Sequence, residues 1–389
     1  MTLISFFDED PLDNIGDILF LKPDVCVFLG ENGSTMERHL KGIRKVLDNR
    51  KLPTQIIGQS VPFGDMASAK DILTRLICKH PDAILDVTGG SEMLIALAGN
   101  IADVFDVPIY QRRNRSSRIH WQERFMYPTN RAHLSVADVV CLHGGAILSA
   151  QTPPRNNDAL TWDIRILWDI ARRNMSEYNA LCNNLSFLMK RNKSTDPLEL
   201  VSDPEDYRCA TNLDRSMLTA MNDANLIQDL SFENDTVQLR FRNYEIRNLI
   251  TKAGCLLEIA TCIAAGRTSD SAIGVSMDWD GVLSNSTVET KNELDVMLIY
   301  GMMPVCISCK NGHFEKEALY ELDTVSRHFA GRFAKRIFVA SYVDESPATV
   351  ANLKERARVM GITTLFNVQN YTFDEFAQKL QSHLPRNEV

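Results

Sequence analysis

The feature that most restricts this chain is an alternation of short apolar runs with amphipathic stretches across residues 1–110, joined by glycine-bearing turns. Strands are expected near 3–6, 25–29, 55–57, 83–87 and 107–110, with an apolar stretch at 15–21 and helices over 35–48, 66–79 and 91–104. The turns are Gly30-Glu31-Asn32-Gly33-Ser34 and Thr88-Gly89-Gly90-Ser91. Strands separated by helices cannot pair as hairpins, so the pattern predicts a parallel, doubly wound α/β sheet. Such sheets bind ligands at the carboxyl ends of their strands. The first strand lacks the GxGxxG turn of dinucleotide enzymes, which disfavours a metabolic Rossmann enzyme.

A chain of 389 residues exceeds one ordinary core. The polar, proline-bearing stretch Thr152-Pro153-Pro154-Arg155-Asn156-Asn157-Asp158 reads as a linker. Beyond it, helices are expected over 160–172, 177–190 and 213–225, then a hairpin of 226–232 and 236–241 across Glu233-Asn234-Asp235. That order resembles a winged-helix module, and a helical connector with one hairpin fits equally. A third unit follows, with one long helix over 245–265, strands at 275–279, 292–299 and 304–308, a helix at 316–329, a strand at 336–340 and a helix at 349–360. The expected division is 1–150, 151–244 and 245–389.

Composition bounds the chemistry. A net charge of −8 argues against non-specific coating of nucleic acid. Residues 251–389 carry 14 Lys/Arg against 17 Asp/Glu, yet a bound metal would supply local positive charge to a nuclease. No apolar run approaches the roughly 20 residues of a membrane span. The acidic start, with Asp8, Glu9 and Asp10, is unlike a signal peptide. Nine cysteines without framework spacing are expected to be reduced thiols in a cytoplasmic protein, and the scattered histidines give no zinc spacing.

The third unit carries the most telling group. Asn292-Glu293-Leu294-Asp295 opens one strand and Cys306-Ile307-Ser308-Cys309-Lys310 ends its neighbour. Alternation puts Glu293 and Asp295 on one face, and Ser308 and Lys310 together on the next strand. Glu258 sits in a strongly apolar helix, where an unpaired carboxylate would be costly. Carboxylates beside a lysine are the parts for hydrolysing a phosphodiester: the acids hold a hard divalent ion and the lysine steadies developing charge. An ordinary hairpin with an exposed ion pair would account for Glu293 but poorly for Glu258.

This pattern resembles the PD-(D/E)xK nuclease domain, and in particular the CRISPR-associated effectors that join such a domain to a CRISPR-associated Rossmann-fold (CARF) sensor. Thr88-Gly89-Gly90-Ser91 resembles the sensor's Thr-Gly-Gly-Thr-Lys turn, and the loop 8–14, with Asn14, its other ligand-facing loop. The resemblance covers the whole chain in domain order. It implies a homodimer that binds a cyclic oligoadenylate, foremost cyclic tetra-adenylate, at Asn14, Thr88, Gly89, Gly90 and Ser91. It further implies cleavage of single-stranded RNA or DNA, or nicking of duplex DNA, with Mn²⁺ or Mg²⁺ in antiviral defence. Asp295 and Glu258 would bind the metal, helped by the Cys309 carbonyl, and Lys310 would orient water or stabilise the transition state. The glycines would let backbone N–H groups approach a phosphate at a helix N-terminus; a plain turn with Ser91 as N-cap is the other reading.

Two positions depart from the family pattern. Glu92 replaces the sensor lysine, and Ser308 replaces the (D/E)xK acid. Loss of that acid requires a substitute, from Glu258, Glu321 on the helix after Lys310, or Glu293. It also sustains an alternative: a cyclic-nucleotide-responsive DNA-binding regulator with an inactive nuclease domain. Arg112, Arg113, Arg115 and Arg118 form the one basic cluster, expected to be a solvated loop, the alternative being that it faces nucleic acid or the cyclic ligand. Trp162 and Trp168 are expected to pack, as are Cys255, Cys262, Cys306 and Cys309.

Overall fold

The strand–helix alternation of the first part folds as β1 (Thr2–Phe6), α1 (Pro11–Leu21), β2 (Val25–Gly30), α2 (Gly33–Asn49), β3 (Gln55–Ser60), α3 (Met66–Lys79), β4 (Ala83–Asp86), α4 (Glu92–Phe105), β5 (Ile109–Arg113) and β6 (Ser117–His120). The computed structural model describes residues 1–31, 33–62, 64–113, 117–120, 133–154, 157–210, 213–281, 291–312 and 314–385. The first sheet has the order β3-β2-β1-β4-β5-β6, parallel except for the last pair. The order reverses between β1 and β4, so the loops after Phe6 and Asp86 flank the crevice where such sheets take ligands. Ile4, Phe6, Val27, Leu29 and Leu85 face α3 and α4 on one side, while Leu3, Cys26, Phe28 and Ile84 face α1 and α2 on the other. The apolar stretch at 15–21 is the inner part of α1, begun by Asp10 as N-cap and Pro11 in the first turn.

Next come α5 (Val136–Leu142) and β7 (Ala146–Gln151). β7, assigned from the sequence to the first unit, pairs instead with β11 (Asp270–Asp278) at the edge of the C-terminal sheet. An edge strand with one side open carries little alternation to reveal its sheet, and β7 is half-buried to exposed.

The connector comprises α6 (Asp158–Ala171), α7 (Met175–Lys190), β8 (Glu199–Val201), α8 (Pro204–Cys209), α9 (Arg215–Asp223), β9 (Ile227–Ser231), β10 (Gln238–Phe241) and α10 (Tyr244–Thr251). The expected hairpin is β9 with β10, and β8 adds a third antiparallel strand. Trp168 is buried and stacks on Phe376 with centroids 5.3 Å apart, whereas Trp162 is 64% exposed, against the packing expected of it.

The expected long helix over 245–265 is two helices. α10 ends at Thr251 and α11 (Cys255–Ala264) begins after Gly254, whose φ of 88° breaks the helical path. The remaining elements are β12 (Lys291–Tyr300), β13 (Met303–Lys310), α12 (Glu317–Ala330), β14 (Lys335–Ala340), α13 (Pro347–Val359), β15 (Ile362–Phe366) and α14 (Phe373–Ser382). They form the sheet β15-β14-β13-β12-β11-β7, antiparallel from β7 to β13 and parallel from β13 to β15. α11 and α14 cover the face carrying Val296, Leu298, Ile307, Cys309 and Val339. α12 covers the opposite face, with Met297, Ile299, Cys306 and Phe338. Among the described residues no helix is long and apolar enough to cross a membrane.

Candidate functional site

The β12–β13 hairpin turns at Gly301, with φ 64°, and its ladder runs from Tyr300↔Met303 to Val296↔Ile307. Beyond that point a side chain continues the pairing. The Asp295 carboxylate accepts the Cys309 backbone N–H at 2.6 Å and the Ser308 hydroxyl at 3.1 Å, and the Lys310 ammonium lies 3.7 Å away. All three contacts fall on Oδ2. Ser308 therefore helps to hold Asp295 in place.

Glu258 occupies the first turn of α11, begun by Gly254 rather than by a capping side chain. Burial, then the charges of Asp295 and Glu293, push its carboxyl up to about 7, and Lys310 opposes them only partly. Among the described residues no hydrogen bond or ion pair meets the Glu258 carboxyl, while its backbone N–H donates to the Gly254 carbonyl. Glu293 is exposed, pairs in register with Ser276, and has Oε1 3.8 Å from where a Cβ on Gly274 would stand. The Cys309 thiol turns away into the core, 3.7 Å from the Thr261 hydroxyl, and burial pushes its pKa up. Only its backbone is open to a ligand role.

Glu258, Asp295, Ser308, Cys309 and Lys310 thus meet at one strand end. Glu321 does not join them: it is exposed on α12, which covers the other face of the sheet. Among the described residues no three His, Cys, Asp or Glu side chains are set to close around an ion. The donors present still fit a hard divalent cation in kind: two carboxylates and a carbonyl oxygen, with one carboxyl half-buried and pushed up to about 7 by burial and then by its acidic neighbours.

At the first sheet, the two expected loops lie side by side. Asn14 is buried and folds the first of them: its Oδ1 accepts the Asp8 N–H at 2.9 Å, and its Nδ2 donates to the Asp8 carbonyl at 2.8 Å. Asp8 Oδ1 in turn accepts the Asp10 N–H at 2.7 Å. In the second loop, Asp86 accepts the Thr88 N–H and the Ser5 hydroxyl, each at 2.9 Å. A Cβ on Gly89 would collide with the Phe6 carbonyl and come within 2.8 Å of the Asp8 nitrogen. Gly90, with φ 91°, donates its N–H to Phe7 at 3.1 Å. Both glycines are therefore required by the close approach of β1, and the Gly90 N–H, expected to face a phosphate, is used within the fold. Ser91 caps α4 by accepting the Leu94 N–H at 3.4 Å, and Glu92 is exposed in the first turn.

Sequence reasoning missed Arg332, in the turn between α12 and β14, whose guanidinium lies 3.7 Å from Asp8. Nothing in its local sequence marks a partner more than 300 positions away. Arg115 lies outside the described residues, and of Arg112, Arg113 and Arg118 only the backbone is described.

No protein-family profile matches the sequence, and no curated protein matches it. Solved structures do match the fold. Protein VC1899 from Vibrio cholerae aligns with TM-score 0.73 at 16% identity, over 98% of this chain and 97% of that one. Can2 from Sulfobacillus thermosulfidooxidans, solved in complex with cyclic tetra-adenylate, aligns with TM-score 0.65 at 19% identity over 98% of each chain. A type III CRISPR defence DNA nuclease activated by cyclic oligoadenylate aligns with TM-score 0.50 at 12% identity, over 89% of this chain and 46% of its own. This chain shares the architecture of the first two from end to end.

Proposed function

We propose that this protein is a metal-dependent endonuclease switched on by a cyclic oligoadenylate, foremost cyclic tetra-adenylate, in type III CRISPR antiviral defence. It would act in the cytoplasm as a homodimer on single-stranded RNA or DNA, or by nicking duplex DNA. The observation that carries the reading is the meeting of Asp295, Lys310 and Glu258 at one strand end, in a chain whose fold matches that of Can2 throughout. The three units 1–150, 151–244 and 245–389 would serve as sensor, connector and nuclease, with β7 lending its edge to the last.

Asp295, Glu258 and the Cys309 carbonyl would hold Mn²⁺ or Mg²⁺. When bound, such an ion polarises a phosphoryl oxygen and makes water a nucleophile near neutral pH. Asp295 is locked in position by the Cys309 N–H and the Ser308 hydroxyl, so it need not reorganise during the reaction. Lys310 stands where charge would develop on the phosphate and would stabilise it. In the sensor, the first-turn N–H groups of α4, beside Ser91, would meet the ligand's phosphates.

Cleavage of labelled single-stranded RNA and DNA with Mn²⁺, with and without cyclic tetra-adenylate, tests the reading. Asp295→Asn and Lys310→Ala should each lower the rate on the order of 10²–10³-fold. Wild-type rates from either variant would sink the assignment. Ser308, which supplies no carboxylate, favours the second reading of a ligand-responsive DNA-binding regulator with an inactive nuclease. That reading predicts no cleavage with any metal and retained binding of ligand and duplex DNA.

A further inference from the structure

We propose that Arg332, a residue of the C-terminal unit, completes the anion-binding site of the N-terminal sheet by contacting a phosphodiester of the cyclic oligoadenylate. This rests on the sensor reading above and adds a residue that reading does not contain.

Among the described residues, the loops after β1, β2 and β4 carry no Lys or Arg; Arg112 and Arg113, which end β5 beside β4, lie outside the described side chains. Asp8, Glu9 and Asp10 follow β1, Glu31 follows β2, and Glu92 opens α4. A ligand carrying a ring of phosphates needs cations there. Arg332 reaches in from the α12–β14 turn, with its guanidinium 3.7 Å from the Asp8 carboxylate. Asp8 itself abuts the Gly89 turn, its Cβ only 2.9 Å from where a Gly89 Cβ would stand. The arginine therefore sits at the junction of both ligand-facing loops.

Its surroundings suit exchange of partner. The Arg332 side chain is 55% exposed, so one edge of the guanidinium contacts Asp8 while much of the group faces solvent. The Phe333 ring lies under it, 4.6 Å from the guanidinium carbon, and steadies its plane. An ion pair this long and this exposed contributes little stability, so giving it up costs little. A phosphodiester offers the bidentate geometry that guanidinium prefers. Asp8 would not be stranded, since it keeps the Asp10 N–H at 2.7 Å. A ligand bound in this way would engage both halves of the chain at once.

The competing reading is a surface ion pair that merely docks two units. Calorimetric titration of the full-length chain with cyclic tetra-adenylate separates the two. Loss of a charge-assisted contact should weaken binding by Arg332→Ala about ten- to a hundred-fold. Arg332→Lys, which keeps the charge without the fork, should fall between. Asp8→Asn removes the competing charge while keeping an oxygen for the Asp10 N–H, and should tighten binding several-fold. The inference is overturned if Arg332→Ala binds as tightly as wild type, or if Asp8→Asn weakens binding as much as Arg332→Ala does. Unfolding temperatures without ligand show whether either variant is simply misfolded, and Arg332→Lys retains the docking charge if Arg332→Ala is. If wild-type protein binds no cyclic oligoadenylate, the sensor reading and this inference fall together.

Discussion

Glu258 is a half-buried carboxyl among like charges, an arrangement that costs the fold. Its carboxyl is raised from 4.5 to about 7, so folding favours the protonated form. The stabilisation is complete below the unfolded value and is lost as pH rises through 7. A rise of this size corresponds to a few kcal/mol at most. Without metal, Glu258→Gln should therefore melt higher than wild type at pH 8, with the gap closing towards pH 4. Added Mn²⁺ should raise the melting temperature of wild type at pH 8 more than that of the variant. Equal melting of both proteins at pH 8 in chelator would show that no penalty exists. Glu321→Gln, by contrast, should cleave at the wild-type rate, because α12 holds that side chain on the other face of the sheet.

Among elements, those of the candidate site were legible where local pattern and tertiary demand agree. The β12–β13 hairpin followed from alternation, and so did the neighbourhood of Asp295 and Lys310. Glu258 was legible as a polar residue out of place in an apolar helix. The break at Gly254 was not recognised, because a lone glycine in a helical pattern is often tolerated and the apolar period resumes after it. Nor was the Gly89 turn read for its real constraint, since the backbone it touches belongs to β1, more than 80 residues earlier. That contact changes what a substitution there would mean. Gly89→Ala should lower the stability of the ligand-free protein by about 1–3 kcal/mol, because its Cβ must displace the Phe6 carbonyl and the Asp8 backbone. Chemical denaturation without ligand measures this. Were Gly89 needed only for phosphate approach, Gly89→Ala would unfold at the wild-type denaturant concentration.

At the scale of the whole molecule, the three units of sequence are not three cores. One face of the C-terminal sheet shares its apolar cluster with the connector: Trp168, Leu185, Leu218 and Phe241 join Val296, Ile307 and Phe376. The other face shares with the N-terminal unit, where Leu12, Phe28 and Ile43 join Val139, Met297 and Phe329. Between them α5 acts as a bracket. Its capping-box residue Asp138 pairs with Arg50 at the end of α2, and the Val136 N–H donates to Asp270 of β11 at 2.7 Å. A segment of 245–389 alone would lose its edge strand β7, the N-terminal unit's cover of one face and the connector's cover of the other. Uncovering apolar surface on both sides of a sheet costs roughly 25 cal/mol per Å², and a few hundred Å² on each face would exceed the stability of an ordinary domain. Residues 245–389 expressed alone should therefore bind a hydrophobic dye and lack a sharp melt, while the full chain should unfold in one calorimetric transition. Two well-separated transitions, or a cooperatively folded fragment, would mean that the shared clusters are contacts between independent bodies. A change at the first sheet would then reach the strand end that carries Asp295 through localised links such as the pair of Asp8 and Arg332, whereas a single transition would let strain at one sheet be felt directly at the other.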